Sequence, residues 1–164
     1  MISPDDEAAV ASQLGRPPRA IHAVRHRCPC GRPDVVTTEP RLPDGTPFPT
    51  TYYLTCPRAA SLIGTLEGSG VMKEMEARLA DDEALAAAYD AAHRAYLADR
   101  SALEQETGRS EPEIEGVSAG GMPTRVKCLH VLAAHALAAG PGVNPLGDEV
   151  LAELGAWWEQ GPCV

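Results

Sequence analysis

Basic residues are scarce in this sequence. It contains 14 Lys and Arg residues against 23 Asp and Glu residues, which gives a formal net charge of −9. A chain with this balance repels a phosphate backbone unless its cations gather on one face. Seven of the twelve arginines lie within the first 58 residues, where we interpret them as a polar strand surface, with an anion or RNA site as the alternative. The charge balance therefore argues against nucleic acid as a partner.

Long apolar runs are also missing. The most apolar stretch, residues 131–139, has about half the length of a membrane span and contains His135. The first residues, MISPDDEAAV, carry acidic side chains where an export signal has basic side chains followed by an apolar run. The sequence therefore predicts a cytoplasmic protein without a membrane segment. Its five cysteines are then expected to be reduced thiols or metal ligands, and not disulfides.

No internal repeat and no low-complexity linker divides the chain. Its 164 residues and 17.3 kDa fit one domain, residues 1–164, and 44% hydrophobic residues suffice for a core. After an N-terminal helix, β-branched and aromatic residues between 20 and 56 predict three strands, with a Pro-Asp-Gly turn at 43–45. From residue 57 onward apolar residues recur at helical spacing, and one of these helices is predicted to open near residue 122.

The predicted fold class follows from this order of elements. Strands in the first third and helices in the rest are typical of an α+β protein. We therefore predict a small antiparallel sheet of about three strands near the N-terminus, packed against four to five helices.

Cysteine and histidine residues concentrate in two segments of the chain. These are CPCGRPDVVTTEPRLPDGTPFPTTYYLTCPR at 28–58 and GVSAGGMPTRVKCLHVLAAHALAAGPGVNPLGD at 116–148. In these segments the sequence resembles a bacterial family, domain of unknown function 501, and the resemblance spans nearly the whole chain. It implies an actinobacterial-type protein whose gene lies near those for a septum-formation initiator and an exopolyphosphatase. That neighbourhood implies a cytoplasmic housekeeping setting, with no established activity to carry over.

The thiols and imidazoles of these segments predict a metal site assembled by folding, because thiolate ligands favour zinc or iron–sulfur centres. The favoured set joins Cys28, Cys56 and Cys128 with a fourth ligand from Cys30 or a histidine. Spacing supports it only in part, since one residue separates Cys28 from Cys30 and the three ligands of the second segment cannot all face one ion from a regular helix. The candidate metal ligands are Cys28, Cys30, Cys56, Cys128, His130 and His135.

Two other interpretations of these residues stay open at this point. Cys28, Cys56 and Cys128 can be small buried hydrophobes, as free cysteines usually are. Either Cys56 or Cys128 can instead be a catalytic thiol, activated by His130 and by basic neighbours in the sequence. Cys163, near the end of the sequence, is expected to be frayed and exposed.

The sequence thus predicts function only in outline. The leading interpretation is an uncharacterised cytoplasmic Cys/His protein that binds zinc or an iron–sulfur cluster, with the question of enzymatic activity open. The alternative is a non-enzymatic interaction protein associated with cell division, whose cysteines are structural. The partner in either case is an unidentified small molecule or protein, and neither nucleic acid nor a membrane. Metal content separates the two interpretations, because the second requires none.

Overall fold

The computed structural model describes residues 1–163, and within them it has one three-stranded sheet and six α-helices. This arrangement confirms the predicted α+β class. Two short 3₁₀ helices, Pro112–Ile114 and Trp157–Gln160, complete it. The strands are β1 (Ile21–Arg27), β2 (Pro33–Thr38) and β3 (Tyr52–Leu54), and the helices are α1 (Pro4–Leu14), α2 (Pro57–Glu67), α3 (Val71–Asp81), α4 (Glu83–Thr107), α5 (Leu129–Ala139) and α6 (Pro145–Leu154).

The sheet is antiparallel in the order β1-β2-β3, so each strand pairs with its neighbour in sequence. Val35 and Val36 of the central strand are both buried. Because successive side chains of a strand point to opposite faces, their burial means that β2 is covered on both sides. The Pro-Asp-Gly turn between β2 and β3 is confirmed, since the amide of Leu42 donates to the carbonyl of Thr46 at 2.9 Å.

The helix predicted to open near residue 122 begins only at Leu129, so that part of the prediction is wrong. The chain turns back on itself before it: the amide of Lys127 donates to the carbonyl of Gly120, and that of Arg125 to the carbonyl of Gly121, both at 2.8 Å. A Cβ on Gly121 would lie 2.6 Å from the Arg125 carbonyl oxygen, so this turn requires glycine. Apolar spacing alone does not separate such a buried turn from a helix face.

Helix α5 forms the centre of the core. Its residues Leu129, Leu132 and Ala133 are fully buried, and it packs against β3 and α6. A helix that is apolar around most of its circumference is expected inside a protein and not at its surface. Among the described residues no helix combines the length and the apolar character that a membrane crossing requires.

The segment after α6 returns to the start of α2. Trp157 is buried and meets the ring of Trp158 edge-on at a centroid distance of 4.8 Å. The Arg58 Nε donates to the carbonyl of Pro162 at 3.0 Å. These contacts hold Cys163 in the core, where none of its surface is exposed. The expectation that Cys163 is frayed and exposed is therefore wrong.

Candidate metal centre

Four cysteine sulfurs meet where the β1–β2 turn, the start of α2 and the last described residues come together. The Sγ of Cys163 lies 3.0 Å from the Sγ of Cys56 and 3.4 Å from that of Cys30. The sulfurs of Cys28, Cys30 and Cys163 all lie within 4.8 Å of one another. All of these cysteines are free thiols. We refer to Cys28, Cys30, Cys56 and Cys163 as the four-cysteine cluster.

Local hydrogen bonds position the first two members of the cluster. The amide of Cys28 donates to the carbonyl of Arg32 at 3.0 Å, and the amide of Gly31 donates to the carbonyl of Cys28 at 2.8 Å. These bonds close the tight turn between β1 and β2. Cysteines separated by one residue can therefore contribute to the same group of sulfurs, although this spacing is uncommon in sequence motifs for zinc.

The third member, Cys56, is the residue that caps α2. Its sulfur accepts the amide of Ala59 at 3.5 Å, and Pro57 occupies the first helical position, where no amide donor is needed. The capping position places this sulfur at the N-terminal end of α2, beside the Cys163 sulfur of the cluster.

The surroundings oppose ionisation of two of these thiols when no cation is present. Burial raises the pKa of Cys163, and the neighbouring sulfurs of Cys56, Cys28 and Cys30 raise it further. Burial likewise raises the pKa of Cys28. Burial acts in the same direction on Cys30, but the backbone amides of Arg32 and Cys163 outweigh it and lower the pKa of that thiol. A bound metal cation is the kind of group that allows such crowded sulfurs to ionise together. Three of them, Cys28, Cys30 and Cys163, are close enough together to hold one.

Cys128 and His130 belong to a second cluster, which they form with Glu67. One ligand atom from each residue lies within 4.8 Å of the other two. The Glu67 Oε2 accepts the amide of Leu129 at 2.9 Å, and its Oε1 lies 3.1 Å from the His130 Nδ1. The His130 Nε2 lies 3.0 Å from the carbonyl oxygen of Ala60. We refer to Glu67, Cys128 and His130 as the Cys–His–Glu cluster.

Charges in the Cys–His–Glu cluster favour a thiolate beside an imidazolium. The Cys128 side chain raises the pKa of His130 to about 9 against the effect of burial, and the Ala60 carbonyl and the Glu67 carboxylate add to this rise. Burial raises the pKa of Cys128, but His130 and the amide of Val131 outweigh burial, so the pKa of this thiol lies below its ordinary value.

His135 lies in neither cluster. It is fully buried, and its Nδ1 lies 3.1 Å from the Asn144 Nδ2. The Asn144 Oδ1 accepts the amide of Gly147 at 2.9 Å, so the amide NH₂ of Asn144 faces the ring and Nδ1 is the acceptor. The ring packs against Tyr52 and Tyr96, and burial lowers its pKa. His135 is thus a neutral core residue whose lone pair is engaged by Asn144.

The six ligands predicted from the sequence therefore fall in three places, and the structure does not bring them together. Cys28, Cys30 and Cys56 lie in the four-cysteine cluster, Cys128 and His130 lie in the Cys–His–Glu cluster, and His135 lies in the core. The favoured set included Cys128, but Cys128 is held at the start of α5 and Cys163 approaches the other cysteines instead. That a metal ion binds remains a prediction.

Sequence reasoning missed two members of these clusters, Cys163 and Glu67. Cys163 is separated from Cys30 by 133 positions, and no local spacing links the two. The one available signal was the Trp157–Trp158 pair, which indicates that the following residues dock on the core. Glu67 carried no signal, because an acidic residue at the end of a helix is ordinarily solvated.

Comparison with known proteins identifies a family and no activity. The model of the family described as "Protein of unknown function (DUF501)" matches residues 24–152. No curated protein and no solved structure matches the chain. The matched region contains the whole Cys–His–Glu cluster and three members of the four-cysteine cluster, and it ends before Cys163. The chain belongs to the DUF501 family of proteins of unknown function.

Proposed function

We propose that the protein binds one zinc ion through Cys28, Cys30, Cys56 and Cys163, and that this ion stabilises the fold. The observation that carries the proposal is that the sulfurs of Cys28, Cys30 and Cys163 all lie within 4.8 Å of one another, while the Cys56 sulfur lies 3.0 Å from that of Cys163. Four thiolates in a tetrahedral arrangement are typical of zinc or iron–sulfur sites.

The spacing of the sulfurs favours a single ion over a cluster. With Zn–S bonds of about 2.3 Å, tetrahedral geometry separates the sulfurs by about 3.8 Å. The Cys163 sulfur lies 3.0 Å from that of Cys56 and 3.4 Å from that of Cys30, and the Cys28, Cys30 and Cys163 sulfurs are within 4.8 Å of one another, which is the scale of a single-ion shell. In an iron–sulfur cluster the thiolates bind different iron atoms and are therefore spaced more widely.

The ligand set favours a structural role over a catalytic one. Four cysteines fill the tetrahedral shell of zinc, whereas a catalytic zinc keeps one position open for water or substrate. Cys28, Cys56 and Cys163 are buried, so solvent reaches the site mainly beside Cys30. A closed, buried site supports the idea that the ion joins parts of the fold.

The parts joined are distant in sequence. The ion connects the β1–β2 turn, the first residue before α2 and the segment that follows the Trp157–Trp158 pair. Because such a shell does not exist in the unfolded chain, its binding free energy contributes to folding free energy.

Metal analysis of the purified protein tests this proposal. We expect a colourless protein with one zinc per chain, and we expect Cys56→Ser and Cys163→Ser to lose that zinc. Cys128→Ser is the matched control, because it removes a thiol outside the four-cysteine cluster and should leave the zinc content unchanged.

Three other outcomes would contradict the proposal. Brown protein containing iron would indicate an iron–sulfur centre. A mass lower by two hydrogens, with the metal absent, would indicate a Cys56–Cys163 disulfide. A folded, metal-free protein that is indifferent to chelators would leave the four cysteines as packing residues.

A further inference from the structure

A groove of about 530 Å³ begins at the Cys–His–Glu cluster and lies apart from the four-cysteine cluster. It runs between the end of α1, strand β3 and the start of α5. Cys128 and His130 line it, and the rest of its wall is mainly apolar, with Leu14, Phe48 and Val131 among its side chains. Cys128 is only partly buried, so its sulfur is accessible from this groove.

The contacts of His130 favour its protonated form. Both ring nitrogens face acceptors, the Glu67 carboxylate at 3.1 Å and the Ala60 carbonyl at 3.0 Å. A neutral imidazole carries one N–H and cannot donate to both, whereas an imidazolium can. Both acceptors belong to α2, so the cation is held in one orientation beside the Cys128 sulfur.

The backbone adds to the same effect. Cys128 is the residue immediately before α5, at the positive end of the helix dipole. A helix N-terminus and a neighbouring His⁺ are two of the environments that stabilise a thiolate. Of the titratable groups that face this sulfur, His130 of α5 lowers the pKa of Cys128, and Glu67 of α2 opposes this and raises it.

The same contacts argue against a second metal site at this position. The Glu67 Oε2 accepts the Leu129 amide and its Oε1 lies 3.1 Å from the His130 Nδ1, while the His130 Nε2 lies 3.0 Å from the Ala60 carbonyl oxygen. A metal ion would have to displace these bonds to reach a nitrogen lone pair. Cys128 alone retains a ligand atom that is free to react.

One buried polar atom in the groove lacks a partner. The Gln13 Nε2 donates to the carbonyl of Pro33 at 2.7 Å, which fixes the orientation of the amide. The Oε1 of Gln13 is buried and accepts no hydrogen bond from the described residues. Because this oxygen has almost no exposed surface, Gln13 forms part of the groove wall and offers no open contact to a bound molecule.

We propose that Cys128 is a nucleophilic thiolate that takes an acyl group from a thioester bound with its apolar acyl chain in this groove. In the step, the Cys128 sulfur forms a bond to the carbonyl carbon. The bond from that carbon to the thioester sulfur breaks, and the leaving thiolate departs with the electron pair. Reaction of the acylated Cys128 with a second thiolate reverses these bond changes and restores the protein.

A cation beside the sulfur suits this class of substrate. His130 lies next to Cys128, with its Nε2 3.0 Å from the Ala60 carbonyl oxygen and its Nδ1 3.1 Å from the Glu67 carboxylate, so the ring stabilises a negative sulfur. Alkoxide and amine leaving groups require a proton donor, whereas a thiolate departs readily as an anion, so transfer from a thioester needs no acid. The apolar wall favours an acyl chain longer than acetyl.

The test uses the full-length, zinc-loaded protein with S-acetyl- and S-hexanoyl-N-acetylcysteamine as acyl donors. Mass spectrometry is expected to show one acyl group per chain, located on Cys128 after proteolysis, and none on Cys128→Ser. Burial of half of the four additional methylene groups favours the hexanoyl donor by about tenfold in rate. Phe48→Ala should reduce that preference, because it removes part of the apolar wall that the longer acyl chain contacts.

A pH profile of alkylation separates a reactive thiolate from an ordinary exposed thiol. With iodoacetamide, the rate at Cys128 should reach half its maximum below pH 8.5, the ordinary pKa of a free cysteine. His130→Gln should move that midpoint upward. If a variant is unstable, the wild-type protein can be alkylated at Cys128 before the thioester is added. This alkylation should block uptake of the acyl group and so replaces the variant as the test.

Several results would overturn this proposal. One is the absence of any acyl group on Cys128. Another is an acylation rate equal to that of the cysteines of the denatured chain. A second equivalent of zinc that disappears in Cys128→Ser would show that the Cys–His–Glu cluster binds metal and not an acyl group.

Discussion

Replacing Cys163 by serine is the sharpest test of the proposed zinc site, because it changes one atom of a residue that lies outside the region matched by the family model. Loss of a residue that merely orients a metal ligand typically costs 10- to 100-fold in affinity, so loss of a ligand should cost more than about 100-fold. This corresponds to about 2.8 kcal/mol. In saturating zinc, the same free energy is lost from folding stability.

The magnitude is large enough for a simple thermal assay. For a protein of this size each kcal/mol changes Tm by about 2–4 °C, so the expected loss of metal-dependent stabilisation is about 6–11 °C. Serine at a fully buried position also has a cost that is independent of metal. The quantity to compare is therefore the rise in Tm between the chelator-treated and zinc-loaded forms of each protein.

Wild type and Cys128→Ser should show the same rise in Tm on zinc loading, and the rise of Cys163→Ser should be smaller by about 6–11 °C. The reasoning is refuted if Cys163→Ser keeps both its zinc and the full metal-dependent rise. That result would mean that Cys28, Cys30 and Cys56 complete a shell without the C-terminal segment.

Three further predictions concern the same two clusters. Gly161→Ala should weaken zinc binding although every thiol is retained. The reason is that φ is +123° at this residue and an added Cβ would lie 2.9 Å from the Arg58 Nη2. Competition with a chromogenic chelator measures the change in zinc affinity. Because the folded pKa of His130 is about 9, above its unfolded value of about 6.5, its stabilisation is complete below pH 6.5 and is lost as the pH rises through 9. A third of the ring is exposed, so we expect this loss to be about 1 kcal/mol and to be absent from His130→Gln in denaturant titrations at several pH values. Glu67→Gln should destabilise the fold by about 1–2 kcal/mol in the same titrations. The reason is that the amide cannot replace a charged acceptor for both Leu129 and His130. An unchanged denaturation midpoint would show that these contacts contribute nothing to stability.

The fold could be predicted because its signals are local. Alternation of apolar residues, a Pro-Asp-Gly turn and helical spacing each act over a few residues, and they identified the sheet and its order relative to the helices. The start of α5 was misplaced because Val126 is buried in a turn, where it has the same apolar signature as a residue on a helix face.

The candidate site could be predicted only in part, because it depends on contacts between distant segments. The clustering of cysteines in the segment 28–58 indicated Cys28, Cys30 and Cys56 as ligands. Nothing in the sequence near Cys163 shows that this residue packs against them. Likewise, the sequence gives no reason to pair Glu67 with His130, since their contact requires the end of α2 to meet the start of α5. The types of the residues therefore indicated which side chains can bind a metal or react, whereas only the tertiary structure shows which of these side chains are in contact.

Helix α2 contributes residues to both clusters. Because the helix is rigid, we expect a structural change at one cluster to affect the other. Cys56 caps one end, while Ala60 and Glu67, which together hold the imidazolium, lie on the same helix. Eleven residues of α-helix form a rod about 16 Å long, which transmits a displacement of one end to the other. Oxidation or chelation at the zinc shell should therefore slow alkylation of Cys128, a residue that the metal does not touch. The reactivity of one thiol would then act as a gauge of whether the metal is bound.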